Sequence, residues 1–158
     1  AELKVAEVGP GLTDICLLLQ RECKKVGFDL KIKKVPNDGY WGAIWNKDPF
    51  HVSSWNMRPS ANIMMTLAYK SDAKWNESAW KEPKIDKLLA DMRAELDPKK
   101  RYEYSCAAQK LIHEGSGTLI ATHRAYIDAK AKNVKGFPRV PIATFGGMEW
   151  PEFIWIDA

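Results

Sequence analysis

The chain has 158 residues, of which 46% are hydrophobic and 28% charged, and its formal net charge is +4 with a pI near 8.9. A chain of this length usually forms one domain around a single core, and no apolar run approaches the ~20 residues of a membrane-spanning helix. Lysines and acidic residues are interspersed along the chain, which favours a solvated surface over a nucleic-acid footprint.

The chain begins with the pattern of a strand, a tight turn and a helix. Leu3 to Val8 alternates apolar and polar residues and ends in Gly9-Pro10-Gly11. An amphipathic helix follows, for which Thr13 or Asp14 is the expected N-cap and Gly27 the end. A parallel strand would then have to follow this helix.

Two further strands are predicted in the first half. Phe28 to Val35 alternates strictly, a short helical piece covers Tyr40 to Trp45, and Phe50 to Trp55 reads as a buried strand. Alternating strands and helices indicate parallel winding with right-handed crossovers, in the simplest case with the strand order 2-1-3. We therefore predict an α/β fold, a three-layer sandwich with a parallel core and flavodoxin-like strand order.

The second half is predicted to be mostly helical. Its expected elements are helices over Asn62 to Tyr69, from Pro83 to Met92 and from Asp97-Pro98 to Gly115, strands over Thr118 to Thr122 and Ala125 to Ala131 that add to the sheet, and a Pro- and Gly-rich tail from Asn133 to Ala158. We expect residues 1–132 to form the α/β unit and residues 133–158 to lie outside it.

The third strand ends in Trp55-Asn56-Met57-Arg58, which cannot continue it because Pro59 follows. In the order 2-1-3 the topological switch point of the sheet lies between strands one and three. Open α/β sheets bind ligands at the carboxyl ends of their strands near that point. Trp55, Asn56, Met57 and Arg58 are therefore predicted site residues. Two alternatives stay open: Trp55 as a core residue, and Arg58 as a surface arginine paired with an acid.

The chain has seven tryptophans, and most lie in turn-rich stretches where they would form flat walls for a ligand as readily as core. Tyr40 and Trp41 follow the second strand and are the other predicted wall residues. A spacing of four places Trp41 and Trp45 on one face, so one of the two is expected in the core.

No catalytic or metal-binding pattern is present. The three histidines are scattered, without a carboxylate or cysteine at metal-ligand spacing. The sequence also lacks a Gly-rich phosphate loop, a Gly-x-Ser-x-Gly elbow and a His-Glu-x-x-His motif. We expect no cofactor, no metal and no enzymatic activity.

Several motifs resemble those of one known family. They are a helix ending in Lys24-Lys25-Val26-Gly27-Phe28, then Gly39-Tyr40-Trp41, Asn76 to Trp80, Ile85-Asp86-Lys87-Leu88-Leu89, Arg93 to Asp97 with Lys100-Arg101, Ala107 to Ile112, Gly117 to His123, and Asn133-Val134-Lys135-Gly136-Phe137. In this order they look like the C-terminal lobe of the extracellular solute-binding proteins of the peptide/nickel ABC-importer family (family 5). The resemblance covers nearly the whole chain.

This resemblance implies one lobe of a type II periplasmic-binding-protein-like fold. Such a lobe binds a small solute in a cleft against an N-terminal lobe and presents the solute to a membrane permease. It implies a periplasmic or extracytoplasmic location, no membrane insertion and no nucleic acid, and a tail over residues 133–158 that returns to the other lobe. A nickel ligand is implied by family analogy only.

One position departs from the family. Peptide-binding members have an acidic residue just after the tryptophan of strand three, where it pairs with the ammonium group of the peptide, whereas this chain has Asn56-Met57-Arg58. A guanidinium favours a carboxylate or phosphate-like group through a bidentate pair. An anionic or at least non-peptide solute is therefore expected.

Two other classes of function remain as alternatives. The mild basicity and the aromatic residues would also suit a nucleic-acid-binding domain, in which bases stack on exposed rings. A small flavodoxin-like enzyme with its site at the switch point is the third hypothesis, although no nucleophile-base pair supports it.

Overall fold

The computed structural model describes residues 1–140 and 142–157. Its helices are α1 (Leu12–Lys25), α2 (Tyr40–Ala43), α3 (Ala61–Tyr69), α4 (Pro83–Ala94) and α5 (Pro98–Gly115), and its strands are β1 (Glu2–Val5), β2 (Lys31–Lys34), β3 (Val134–Lys135) and β4 (Trp155–Ile156). Two single 3-10 turns, Gly146–Met148 and Trp150–Glu152, lie in the tail. Among the helices described, none has the length and apolar character needed to cross a membrane.

The parallel order 2-1-3 is formed, but its third member is short. β1 and β2 pair in parallel, with Leu3 opposite Ile32. On the other side of β1, the Lys4 N–H donates to the Phe50 carbonyl (3.1 Å) and the Val52 N–H donates to the Lys4 carbonyl (3.0 Å), which makes one parallel bridge. Alternate residues of a strand direct their backbone groups to opposite neighbours, so the four residues of β1 offer few partners on this side.

The strands predicted over residues 118–122 and 125–131 are not formed. The described chain has no strand assignment between residues 117 and 132, and side chains such as Leu119 and Ile127 are exposed. The alternating sequence is compatible with a strand, but an extended segment needs a neighbour that supplies backbone partners. The segment instead meets residues 54 and 56 through side chains, as described below.

The hydrophobic core is divided into two clusters, whereas a single core was expected. The sheet cluster contains Leu3, Val5, Cys16 and Leu30, and α1 covers it. The helical cluster lies among α3, α4 and α5 and contains Met65, Ile85, Leu89, Met92, Ala108 and Ile112. Something other than shared aliphatic packing must therefore hold the two parts together.

The helical half follows the sequence prediction closely because its boundaries are set locally. Asp97 accepts hydrogen bonds from the Lys99 and Lys100 amides at 2.8 and 3.3 Å and caps α5. Ser60 caps α3 in the same way. Pro83 and Pro98 stand in the first turn of their helices, where the missing N–H has no intrahelical partner to lose.

The tail pairs with itself. β3 and β4 form an antiparallel pair with Val134 opposite Ile156, and the Asp157 amide donates to the Asn133 carbonyl at 2.9 Å. Gly136 has φ +71°, and a Cβ atom there would lie 2.1 Å from the Phe153 carbonyl oxygen and 2.2 Å from the Trp155 ring. Only glycine fits this position. Pro141 and Ala158 of the predicted tail lie outside the described residues.

We predict that Gly136→Ala opens this hairpin. The new methyl group overlaps the Phe153 carbonyl, and the left-handed backbone adds a strain of about 1 to 3 kcal/mol for a non-glycine residue. Hydrogen exchange of the Asp157 amide should become much faster. Gly42→Ala is the control, because a Cβ there meets nothing within 4 Å. Unchanged protection in Gly136→Ala would contradict the packing described here.

Candidate ligand-binding edge

Two loops meet at the carboxyl ends of the parallel strands. One is Gly9-Pro10-Gly11 after β1, and the other runs from Ser54 to Arg58 after the bridge at His51. They lie close together, since a Cβ on Gly9 would be 3.3 Å from the Ser54 hydroxyl oxygen. These two loops are called the carboxyl edge from here on, and their juxtaposition is the one expected from the order 2-1-3.

The N-terminus of α1, which opens onto this edge, is already occupied. The expected caps, Thr13 and Asp14, are not used, and the N-cap position is Gly11 without a side-chain bond. The Glu7 carboxylate reaches forward instead and accepts from the Leu12 and Thr13 amides at 3.2 and 3.0 Å, and from the Thr13 hydroxyl. The hydroxyl bond is the main cause that lowers the pKa of Glu7. A solute anion would therefore have to bind elsewhere on the edge.

Four tryptophans gather beside the Ser54–Arg58 loop. Trp41 contacts Trp45 with ring centroids 5.7 Å apart, Trp45 lies 6.3 Å from both Trp55 and Trp75, and the last two are 6.0 Å apart. The tilted and edge-to-face arrangements are those that aromatic pairs prefer. This aromatic cluster joins the end of α2, the end of the third strand and the loop after α3.

A carboxylate holds the cluster together. Glu77 accepts hydrogen bonds from the indole N–H of Trp45 and, at 2.9 Å, from that of Trp55. Its loop is fixed by the buried Asn76, whose amide donates to the Trp80 and Lys70 carbonyls. The sequence analysis did not include Glu77 among the predicted site residues. An acid within the stretch Trp75-Asn76-Glu77-Ser78-Ala79-Trp80 was the available signal.

Tyr40 does not form a wall of the edge, which corrects the sequence prediction. Its side chain is only 1% exposed, and its hydroxyl donates to the Val52 carbonyl at 2.6 Å. Burial raises the pKa of Tyr40 to about 12. The residue fits the core because its hydroxyl finds a backbone acceptor that β1 leaves free. Tyr40 therefore holds the third strand through its hydrogen bond to Val52, and its side chain is not accessible to a solute in this structure.

The other predicted residues lie at the edge with different exposures. Trp41 is 47% exposed, and Asn56 and Met57 are exposed. Trp55 is half-buried in the aromatic cluster, so it has features of both the wall and the core alternatives. Contact of these residues with a solute stays a prediction.

Arg58 is half-buried and lies against the tryptophan of its own loop. Its guanidinium carbon is 5.9 Å from the Trp55 ring centroid, and its Nη1 donates to the Asn56 and Met57 carbonyls at 2.8 and 3.2 Å. In the described part of the chain no carboxylate forms an ion pair with it. The structure thus does not show the surface salt bridge that was the alternative for Arg58.

A second arginine reaches the edge from far along the chain. Arg124 donates to the Pro10 carbonyl at 2.7 Å and to the Ser54 hydroxyl at 3.0 Å, and two residues later the Tyr126 hydroxyl donates to the Asn56 side chain at 3.3 Å. Arg124 stood between two predicted strands, and no feature of the sequence singled it out. The carboxyl edge therefore carries two arginines and an aromatic cluster.

Neither a surface groove nor a metal-ligand cluster of the described residues adds a residue to the carboxyl edge. An open groove of about 550 Å³ lies between α3 and the loop after it, and Trp75 is common to this groove and the aromatic cluster. Within residues 1–140 and 142–157, no three histidine, cysteine, aspartate or glutamate side chains are placed to hold a metal ion together.

We predict that Glu77→Ala loosens the aromatic cluster. Two indole N–H groups lose their charged acceptor, which we expect to lower the free energy of unfolding by about 1.5 to 3 kcal/mol. The tryptophan emission should shift to longer wavelength as the rings become solvated. Denaturant unfolding and fluorescence measure both. Glu103→Ala on α5 is the matched control, because it removes the same charge from an exposed helix surface. A difference from this control below about 0.5 kcal/mol, with unchanged emission, would refute the role of Glu77.

Comparison with known proteins gives a consistent result, although no family model matches the chain. The chain is 26% identical over 134 residues to the probable D,D-dipeptide-binding periplasmic protein DdpA of Escherichia coli K12, which covers 81% of this chain and 26% of that protein. This chain thus spans about a quarter of the length of that curated relative.

Solved structures show the same fold. NikZ of Campylobacter jejuni, determined in complex with Ni(L-His), matches 72% of this chain and 24% of its own length with a TM-score of 0.62 at 18% identity. The oligopeptide-binding protein AppA of Bacillus subtilis, determined with a nonapeptide, matches 99% of this chain and 31% of its own length with a TM-score of 0.64 at 20% identity. The resemblance predicted from the motifs is confirmed: the chain is similar in sequence to a probable D,D-dipeptide-binding periplasmic protein and shares its fold with part of each of these two solved proteins.

Proposed function

We propose that this chain is a ligand-binding lobe of the solute-binding component of an ABC importer, located outside the cytoplasmic membrane. The observation that carries the proposal is the aromatic cluster at the carboxyl edge, tied by Glu77 and flanked by two arginines that have no carboxylate partner among the described residues. Such edges of α/β sheets are where ligands bind. The relatives named above support the same reading.

The solute we propose is small and carries at least one carboxylate. The ligands named for the relatives are a D,D-dipeptide, a nickel-histidine complex and a nonapeptide, and carboxylate groups are common to amino acids and peptides. On this chain Trp41 and Trp55 would stack against the solute, while Asn56, Met57 and Arg58 would meet its polar end. The lobe captures and presents the solute to a permease, and the proposal includes no chemical step.

A second lobe is part of this proposal. The carboxyl edge is one open wall, whereas sites that bind small molecules well enclose ~70–90% of the ligand surface. We propose that residues 133–158 form the region that approaches the other lobe. Several large apolar side chains in this region are more than one third exposed, namely Phe145, Met148, Phe153, Trp155 and Ile156.

The proposal is tested by comparing this chain with the protein that carries both lobes. Isothermal calorimetry with D-alanyl-D-alanine and with Ni(L-His)2 should show measurable affinity in the two-lobed protein. The isolated chain should bind the same probe more weakly by about two orders of magnitude or more, because one lobe would cover only about half of the surface of the solute. Equal affinity in both proteins would place the whole site in this lobe, and no binding of any carboxylate-bearing solute by the two-lobed protein would refute the proposed function.

Substitution of Arg58 tests its proposed contact with the solute. Arg58→Ala removes the guanidinium, and Arg58→Lys keeps the charge but loses the planar fork that pairs with a carboxylate. Loss of a desolvated charge partner typically costs about 2 to 5 kcal/mol of binding free energy, whereas an exposed pair contributes about 0 to 1 kcal/mol. Calorimetry on the two-lobed protein should show both variants weakened, Arg58→Ala the more so.

The matched control is Arg21→Ala, since Arg21 lies on α1 in an exposed pair with Glu22. Melting temperatures of the three variants exclude unfolding as the cause of weaker binding. Wild-type affinity in Arg58→Ala would show that Arg58 does not touch the solute and would leave the aromatic cluster as the contact surface.

A further inference from the structure

Arg124 is held at the carboxyl edge in a fixed orientation. One nitrogen of its guanidinium donates to the Pro10 carbonyl at 2.7 Å and another to the Ser54 hydroxyl at 3.0 Å. These two acceptors belong to the two loops of the edge, so the side chain bridges the gap between them. A Cβ on Gly9 would lie 3.4 Å from the same guanidinium, so the arginine lies at van der Waals distance from the first loop.

The charge of Arg124 is not neutralised by these contacts. A backbone carbonyl and a hydroxyl orient a guanidinium without carrying negative charge, and in the described residues no carboxylate forms an ion pair with Arg124. A guanidinium has five N–H donors, of which these contacts use two. The residue is exposed, and among the described residues no acceptor is recorded for the remaining donors.

Neighbouring polar groups continue the same surface. The Tyr126 hydroxyl donates to the Asn56 side chain at 3.3 Å, so alternate residues 124 and 126 lie beside alternate residues 54 and 56. The second segment is thus aligned with the end of the third strand by its side chains. Arg124 is placed at the switch point itself, whereas Arg58 lies further out over the Trp55 ring.

We propose that Arg124 is a second anion-binding residue of the carboxyl edge, in addition to Arg58, and takes a carboxylate of the solute through its free N–H donors. A planar carboxylate accepts two parallel hydrogen bonds from a guanidinium, and the orientation imposed by Pro10 and Ser54 reduces the entropy lost on binding. This inference rests on the proposed function for the identity of the solute, but the anion site can be tested without it.

The first experiment uses the chain alone and a simple carboxylate. Arginine Nε–H signals are followed by NMR during titration with sodium acetate, with sodium chloride at equal ionic strength, and with acetamide. Arg124→Gln identifies the Arg124 signal. That signal should shift saturably with acetate only, while the Arg21 signal, which belongs to an arginine already paired with Glu22, should respond weakly to all three. An equal response of Arg124 to acetate and chloride, or no response, overturns the proposal.

The second experiment uses the two-lobed protein with D-alanyl-D-alanine and its C-terminal amide. The free acid should bind about 30-fold more tightly or better, and Arg124→Gln should reduce this preference by about tenfold or more, whereas Arg21→Gln should change it less than about fivefold. Arg124→Lys should restore part of it. Melting curves confirm that each variant is folded.

The two ideas fail in different ways. If acetate shifts the Arg124 signal but no carboxylate-bearing solute binds the two-lobed protein, the anion site stands and the proposed transport function fails. If the acid preference is unchanged in Arg124→Gln, the solute-binding function stands and Arg124 is not one of its anion-binding residues.

Discussion

The structure depends on one carboxylate that accepts two indole N–H groups. Glu77 ties Trp45, which follows α2, to Trp55, which ends the third strand, and its own loop follows α3. The aliphatic core is divided between a sheet cluster and a helical cluster, so this contact and the rings around it join the two. Hydrogen bonds to a charged group contribute about 1.5 to 3 kcal/mol, and each aromatic pair about 0.5 to 1.5 kcal/mol. Such energies are enough to position the end of the third strand, which is attached to β1 by only one backbone bridge among the described residues.

The same contact determines the charge of the edge. Because Glu77 is engaged by two donors, it is poorly placed to receive an ammonium group from a solute. Glu7 is likewise engaged at the start of α1. The arginines at the edge are in the opposite situation, since Arg58 and Arg124 are oriented by neutral oxygens that leave their charge unmatched. This composition of the edge supports the anionic group that we propose for the solute, as does the sequence Asn56-Met57-Arg58 after Trp55.

The local sequence predicted the helices of this chain more accurately than its strands. The helices α3 to α5 begin and end near their expected residues because caps, prolines and apolar spacing act within a few residues. Strands require a partner that is distant in sequence. The third strand accordingly shrinks to one bridge, and residues 118–131 form no ladder.

The sequence by itself determined the family resemblance, the parallel order 2-1-3, the helical second half and the position of Trp55 and Arg58 at the end of the third strand, because each depends on periodicity, turn residues or motif order. Only the tertiary structure decided that Tyr40 is buried under Val52, that Glu77 joins two indoles and that Arg124 bridges Pro10 and Ser54. These contacts link side chains to groups between 12 and 114 residues away. Which acceptor a distant donor reaches depends on how the elements pack, and local patterns of hydrophobicity contain no information about that.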